Sequence, residues 1–128
     1  MVLVTQTNRA GGRAPAALVC AAEHASADAV NRICIHAYGG MTILAIRAER
    51  AEALGLPLQS EHPVGPAFTV SVEAASGVST GISAFDRAVT VATVIDPEAG
   101  PDDVVSPGHV FPVVADDQGV LGRRSFAE

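Results

Sequence analysis

Residues 68 to 95 read FTVSVEAASGVSTGISAFDRAVTVATVI, and the hydrophobic period changes within this one stretch. Phe68, Val70 and Val72 alternate with Thr69, Ser71 and Glu73, the period of two expected of a half-buried strand. From Ser83 onward Phe85, Ala88, Val89, Ala92 and Ile95 recur at helical spacing, which predicts a helix that buries this stripe and ends at Asp96-Pro97. Ser83 and Asp86 stand three residues apart, as in a capping box with Asp in place of the usual Glu. Helix starts favour anions, but a phosphate there would be repelled by Asp86, so a structural cap is the preferred reading. Arg87 and Thr90 fall off the stripe and read as surface, interface or ligand groups.

On the N-terminal side, residues 1–5 read as a strand, 8–15 (NRAGGRAP) as a Gly/Pro-marked loop and 16–22 as a buried strand. Ser26 looks like an N-cap with Asp28 in the first turn. Val30, Ile33, Cys34 and Ala37 then form one apolar face of a helix over about 26–37. Ile35 lies off that face and suggests a subunit contact. Residues 41–46 form a buried strand, and RAERAEALG, 47–55, a short helix closed by Gly55. A loop over 55–66 leads to the strand at Phe68. Beyond the long helix, a Pro-Gly turn at 107–108 precedes a short strand over 110–114, then a turn at DDQG and a last strand near the C-terminus.

At 128 residues and 48% hydrophobic, the chain suits one compact α/β or α+β domain over residues 1–128. A formal charge of −6 and a pI near 5.0 provide no basic field, which argues against nucleic acid and anionic membrane as partners. A small metabolite or another protein is expected instead. All eight basic residues are arginine. Lysine Schiff-base chemistry and a P-loop lysine are therefore excluded. Cys20 and Cys34 have no disulfide spacing, so a cytoplasmic setting is expected. Arg9, Arg13 and the run 14–22 imitate a signal peptide, but Glu23 and His24 interrupt it, and it is shorter than the roughly 20 residues that span a bilayer.

His109 in SPGHVFP sits between a turn and a strand, where rigid backbone can hold an acid/base group facing a cleft. The competing reading is a turn histidine bonded to backbone. Cys34-x-His36 and Cys20-x-x-Glu23-His24 tempt one towards zinc. Positions i and i+2 of a helix do not share a face, however, and no second ligand pair exists, so Cys34 reads as a core thiol. No hydrolase triad or nucleophile elbow appears, and NRAGGRAP is too irregular for a dinucleotide fingerprint.

Taken together, residues 68–124 strongly resemble 3,4-dihydroxy-2-butanone 4-phosphate synthase of the riboflavin pathway, with a weaker likeness upstream from LVCAAEHAS to RAERAEALGLPL. The resemblance implies an α+β fold with a mixed sheet and helices, shortened here at the C-terminus. It also implies homodimers with active sites at the subunit interface, and Mg²⁺-dependent conversion of ribulose 5-phosphate to formate and the butanone phosphate. In the family's acidic loop, D-R-E-N-E-G-D, Arg9 matches the arginine, while Ala10, Gly12 and Ala14 stand at acidic positions. Against R-x-G-H-T-E-A, Arg123 matches a substrate-phosphate arginine, while Phe126 replaces the metal-binding histidine and Ala127 the threonine. His109 matches the essential histidine of P-G-H-V-F-P.

These substitutions lead to the expectation of a divergent, metal-independent enzyme that has lost the synthase reaction. One positioned acid/base group contributes about 10² to 10⁴ in rate, too little for that reaction by itself. A pocket of His109, Arg9, Arg123 and Phe126, with no metal and no cofactor, would then act on a small carbonyl or enol metabolite by isomerisation, elimination or cyclisation. The alternative is a non-catalytic binding or assembly module on the same scaffold. Either is expected to form a homodimer or higher homo-oligomer.

Overall fold

A computed structural model describes residues 2–7, 16–36, 41–60 and 67–115, with side chains omitted for 2–7 and 16–18. The elements in chain order are β1 (Val2–Thr7), β2 (Ala16–Ala21), α1 (Ala27–His36), β3 (Thr42–Ile46), α2 (Ala48–Ala53), β4 (Ala67–Phe68), β5 (Val72–Ala74), α3 (Ala84–Ile95) and β6 (Val104–Val114). Short 3₁₀ turns at Ala22–His24 and Pro101–Asp103 precede α1 and β6. The sheet runs β2-β1-β3-β6-β4, with β5 also paired to β6. All pairs are antiparallel except β3 with β6, which run parallel from Thr42↔Val110 to Ile46↔Val114. This mixed sheet with helices is the expected α+β architecture.

Helices α1 and α3 pack on each other, and α3 also packs on β5 and β6. Val30, Leu44, Val72, Val91, Val94 and Val110 are completely buried where these elements meet. Removing each such side chain from water contributes roughly 1.5–3 kcal/mol. Ser26 caps α1 by accepting a 3.2 Å hydrogen bond from Ala29 N–H, and Val30 and Ile33 form its buried face. Ile35 is exposed, as its position off that face requires. Gly55 ends α2 at φ +64°, the left-handed conformation that glycine adopts without penalty, and Leu56 N–H bonds back to the Ala51 carbonyl.

Three expectations are corrected. The alternating strand from Phe68 is two short strands. Between them Thr69 is fully buried, bridges to Leu58, and donates its N–H to the Pro112 carbonyl at 3.0 Å. The buried stripe of α3 is only partly the expected one: Ala88 and Ile95 pack against the core, but the fully buried residues are Asp86, Thr90, Val91 and Val94, while Phe85 is 61% exposed and Ala92 is exposed. Asp86 and Thr90 turn inward because both side chains satisfy buried backbone, which a hydrophobicity pattern cannot reveal. The Pro-Gly turn at 107–108 is not a break between elements but part of β6 itself, which contains a cis Ser106–Pro107 bond. The loop at 8–15, the turn at DDQG and the last strand lie outside the described residues.

Arg50 of α2 closes the far end of α3. Its Nε donates to the Val94 carbonyl at 2.7 Å, Nη1 to Ala99 at 3.0 Å and Nη2 to Thr93 at 3.5 Å. The last carbonyls of a helix have no intrahelical partner and carry partial negative charge, so a cation there is doubly favourable. R50M keeps the aliphatic stem and removes these bonds. It is expected to destabilise the fold by about 1–3 kcal/mol in urea unfolding.

Candidate functional site

The site is assembled from the N-terminus of α3. Ser83 Oγ accepts from Asp86 N–H at 3.0 Å, the expected N-cap. The Asp86 carboxylate does not complete a capping box. It accepts instead from Ser79 N–H at 3.2 Å, Ser79 Oγ–H at 3.0 Å and Gly81 N–H at 3.0 Å. One buried carboxylate thus pins the turn that precedes its own helix. Burial by itself would raise its pKa above the ordinary 3.8, but the hydrogen bonds from the Ser79 backbone, the Ser79 and Ser83 side chains and the Thr80 backbone outweigh it, and the net shift is downward.

Thr90, one turn further on, donates to the Asp86 carbonyl at 2.9 Å and accepts from Ala74 N–H at 3.1 Å. It is a buried tie between α3 and β5, not a surface or ligand group. Arg87 likewise bridges elements, Nη1 donating to Thr42 Oγ1 at 3.2 Å and to Cys34 Sγ at 3.5 Å. Cys34 packs partly buried against the core, as a core thiol should. Burial also pushes the Cys20 thiol up, away from the reactive thiolate.

The turn fixed by Asp86 lies directly over Glu73 of β5. Gly81 has φ +72°, and a Cβ there would stand 2.0 Å from the Glu73 carboxylate, so the acid occupies space that only glycine leaves open. Opposite Glu73, β6 departs from regular pairing. Val105 pairs with Glu73 and Val110 with Val72, so residues 106–109 bulge outward against a single step of β5. Gly108 allows the bulge to close onto its neighbour: its N–H donates to Ser71 Oγ at 3.2 Å, and a Cβ would meet the Val72 carbonyl carbon at 2.0 Å. The bulge delivers His109 to Glu73, and its Nδ1 hydrogen-bonds to Glu73 Oε1. The side chains are 40% and 17% exposed, so the pair is anchored on the carboxylate side and reachable on the imidazole side.

Among the described residues the His109 ring therefore bonds to Glu73 and not to backbone, as the competing reading held. A separate cleft of about 360 Å³ lies beside β2 and α1, lined by Val19, Cys20, Arg32, Ile33 and His36 among others, and does not include His109. Arg9, Arg123 and Phe126, the other expected pocket residues, lie outside the described residues. Glu73 was missed by the sequence reading, which assigned it only to the polar face of a strand. The available signal was a single carboxylate among small and hydroxyl residues in SVEAAS.

The arrangement defines an α+β domain whose strand bulge presents a carboxylate-held histidine beside a turn pinned to a helix start, a class suited to moving protons. The family model for 3,4-dihydroxy-2-butanone 4-phosphate synthase matches residues 1–128, and the chain belongs to that family. A synthase from Neisseria meningitidis serogroup A is 44% identical over 114 residues, covering 87% of this chain and 31% of the relative. One from Ralstonia nicotianae is 51% identical over 92 residues, covering 70% and 40%. Among solved structures, a synthase in complex with two magnesium ions superposes with a TM-score of 0.77 at 34% identity, covering 94% of this chain and 58% of that one. A two-domain synthase from A. baumannii gives 0.78 at 31%, covering 94% and 36%. The chain thus spans about a third to two fifths of the length of these curated relatives.

These relatives overturn the expectation of a repurposed isomerase or cyclase or of a non-catalytic module. Proteins 44% and 51% identical to this chain carry the synthase name, so neither divergence nor loss of that reaction is supported. The physical error was to treat His109 as an isolated acid/base group, when Glu73 stands against it. Metal independence also gains no support, since one structural neighbour holds two magnesium ions. Among the described residues, however, no three His, Cys, Asp or Glu side chains converge as a metal site, so the donors present there do not assemble one. What the described residues can supply is proton transfer through the Glu73–His109 pair.

The lowered pKa of Asp86 fixes the sign of a pH effect. Its contribution to stability is fully present above the unfolded value near 3.8 and is lost as pH falls through the lower folded value. D86N should therefore lower Tm at neutral pH, and the gap from wild type should close as both are melted at progressively lower pH below 3.8.

Proposed function

We propose that this chain takes part in forming 3,4-dihydroxy-2-butanone 4-phosphate from ribulose 5-phosphate, with release of formate. The observation that carries the reading is the carboxylate-held His109 on the β6 bulge of a chain belonging to the synthase family. The reaction is balanced without any redox partner: the five carbons of the sugar phosphate divide between the four-carbon product and formate. It begins with enolisation, which requires a base beside the carbon next to the carbonyl. His109 is assigned that role, since imidazole exchanges protons near neutral pH and its ring is reachable from solvent.

Arg9 and Arg123 are proposed to hold the substrate phosphate, and Phe126 to line the pocket, on the strength of their positions in the family motifs. The assembly proposed is a homo-oligomer, supported by exposed Ile35, Ile82 and Phe85, each between 58% and 67% accessible. Two free cysteines support a cytoplasmic setting. Among the described residues no helix is long and apolar enough to cross a membrane.

The test is formate release from ribulose 5-phosphate by the 128-residue chain, with and without Mg²⁺. Turnover is expected, and H109N should reduce it by about 10²- to 10⁴-fold while leaving the melting curve in place. No formate above background under either condition would overturn the proposal.

A further inference from the structure

We infer that Glu73 is a positioning residue that sets the tautomer of His109, and that Gly81 is glycine because the turn pinned by Asp86 must leave room for that carboxylate. The inference rests on the reading of His109 as the acid/base group but is measurable without substrate. A carboxylate presents only acceptor oxygens, so Nδ1 of His109 must carry the proton in the bond to Glu73 Oε1. The lone pair of the neutral ring is then confined to Nε2, the nitrogen turned away from Glu73. A histidine free to choose would divide between two tautomers and several ring orientations, and only one combination presents a base to a substrate. Fixing it in advance removes that loss.

Three contacts hold the carboxylate itself in place. Its strand is tied to α3 by the Ala74 N–H to Thr90 Oγ1 bond. Its carboxyl group fills the space above Gly81, where a Cβ would come within 2.0–2.2 Å of three of its atoms. Gly81 in turn is held by Asp86 Oδ2, so the turn cannot retreat to accommodate a larger residue. A methyl group at position 81 should therefore displace Glu73 and release His109, although residue 81 bonds to neither ring nitrogen. Sequence proximity would not suggest this coupling, because positions 73, 81, 86 and 109 come from β5, a turn, α3 and β6.

The experiment is a long-range ¹H–¹⁵N correlation spectrum of the ¹⁵N-labelled chain, recorded where the histidine rings are neutral, with His109 assigned by its loss in H109N. Wild type should show His109 as the Nδ1–H tautomer. E73D should retain it, whereas E73A and G81A should shift it towards Nε2–H. In the formate assay E73A should lower kcat by about 10- to 10⁴-fold with little change in KM, the upper end being the loss seen when the carboxylate orienting a general-base histidine is replaced. An Nε2–H tautomer in wild type, an unchanged Nδ1–H tautomer in E73A, or an unchanged kcat in E73A would each overturn the inference. If G81A fails to fold, the E73A and E73D pair decides the question. The expected tautomers without any formate release would uphold the positioning of His109 and sink the proposed reaction instead.

Discussion

A buried carboxylate that accepts three hydrogen bonds from one turn is the constraint on which the site depends. Asp86 is 2% exposed, yet its pKa is lowered, because hydrogen bonds, the Ser79 backbone and hydroxyl first among them, outweigh the burial that alone would raise it. Ser83 caps the same helix from outside, so the N–H of Asp86 is satisfied as well. The result is a turn whose backbone is set by the helix that follows it. Everything the turn touches inherits that placement, including Glu73 beneath Gly81.

The second requirement is a strand that is regular on one edge and irregular on the other. β6 keeps five consecutive parallel pairs with β3 from Val110 to Val114, which fixes its position in the sheet. On the β5 edge the residues just before Val110 bulge out, and Gly108 permits the close approach to Val72. His109 thus stands at the boundary between a rigid strand and a bulge, next to a carboxylate from the neighbouring strand. Strand bulges commonly re-aim a side chain in this way next to reaction centres. The long helix contributes to both requirements, through Asp86 to the turn and through Thr90 to β5.

Much of this was legible in the chain, and the failures have identifiable causes. The strands at 16–21 and 42–46, the Ser26 and Ser83 caps and the Gly55 stop followed from apolar runs and capping chemistry, which are local. The buried face of α3 followed only in part, because two of its inward residues are polar and their partners, Ser79 and Ala74, are supplied by the fold. His109 stood out as a histidine between a turn and a strand, but its partner lies 36 residues earlier, and only the β5–β6 register joins them. The chemical forecast failed for a related reason. It weighed missing acids near Arg9 and after Arg123, segments outside the described residues, and treated His109 as alone.

The proposed function is proton transfer by His109, its geometry enforced from a helix start, within the synthase family to which the chain belongs. The central claim is that Asp86 is the anchor. Amide hydrogen exchange on wild type and D86N, read residue by residue, addresses it directly. The account predicts that Ser79 and Gly81 amides are protected in wild type and exchange much faster in D86N, while Ala74, held by Thr90, keeps its protection. Equal protection of Ser79 and Gly81 in the two proteins would contradict it.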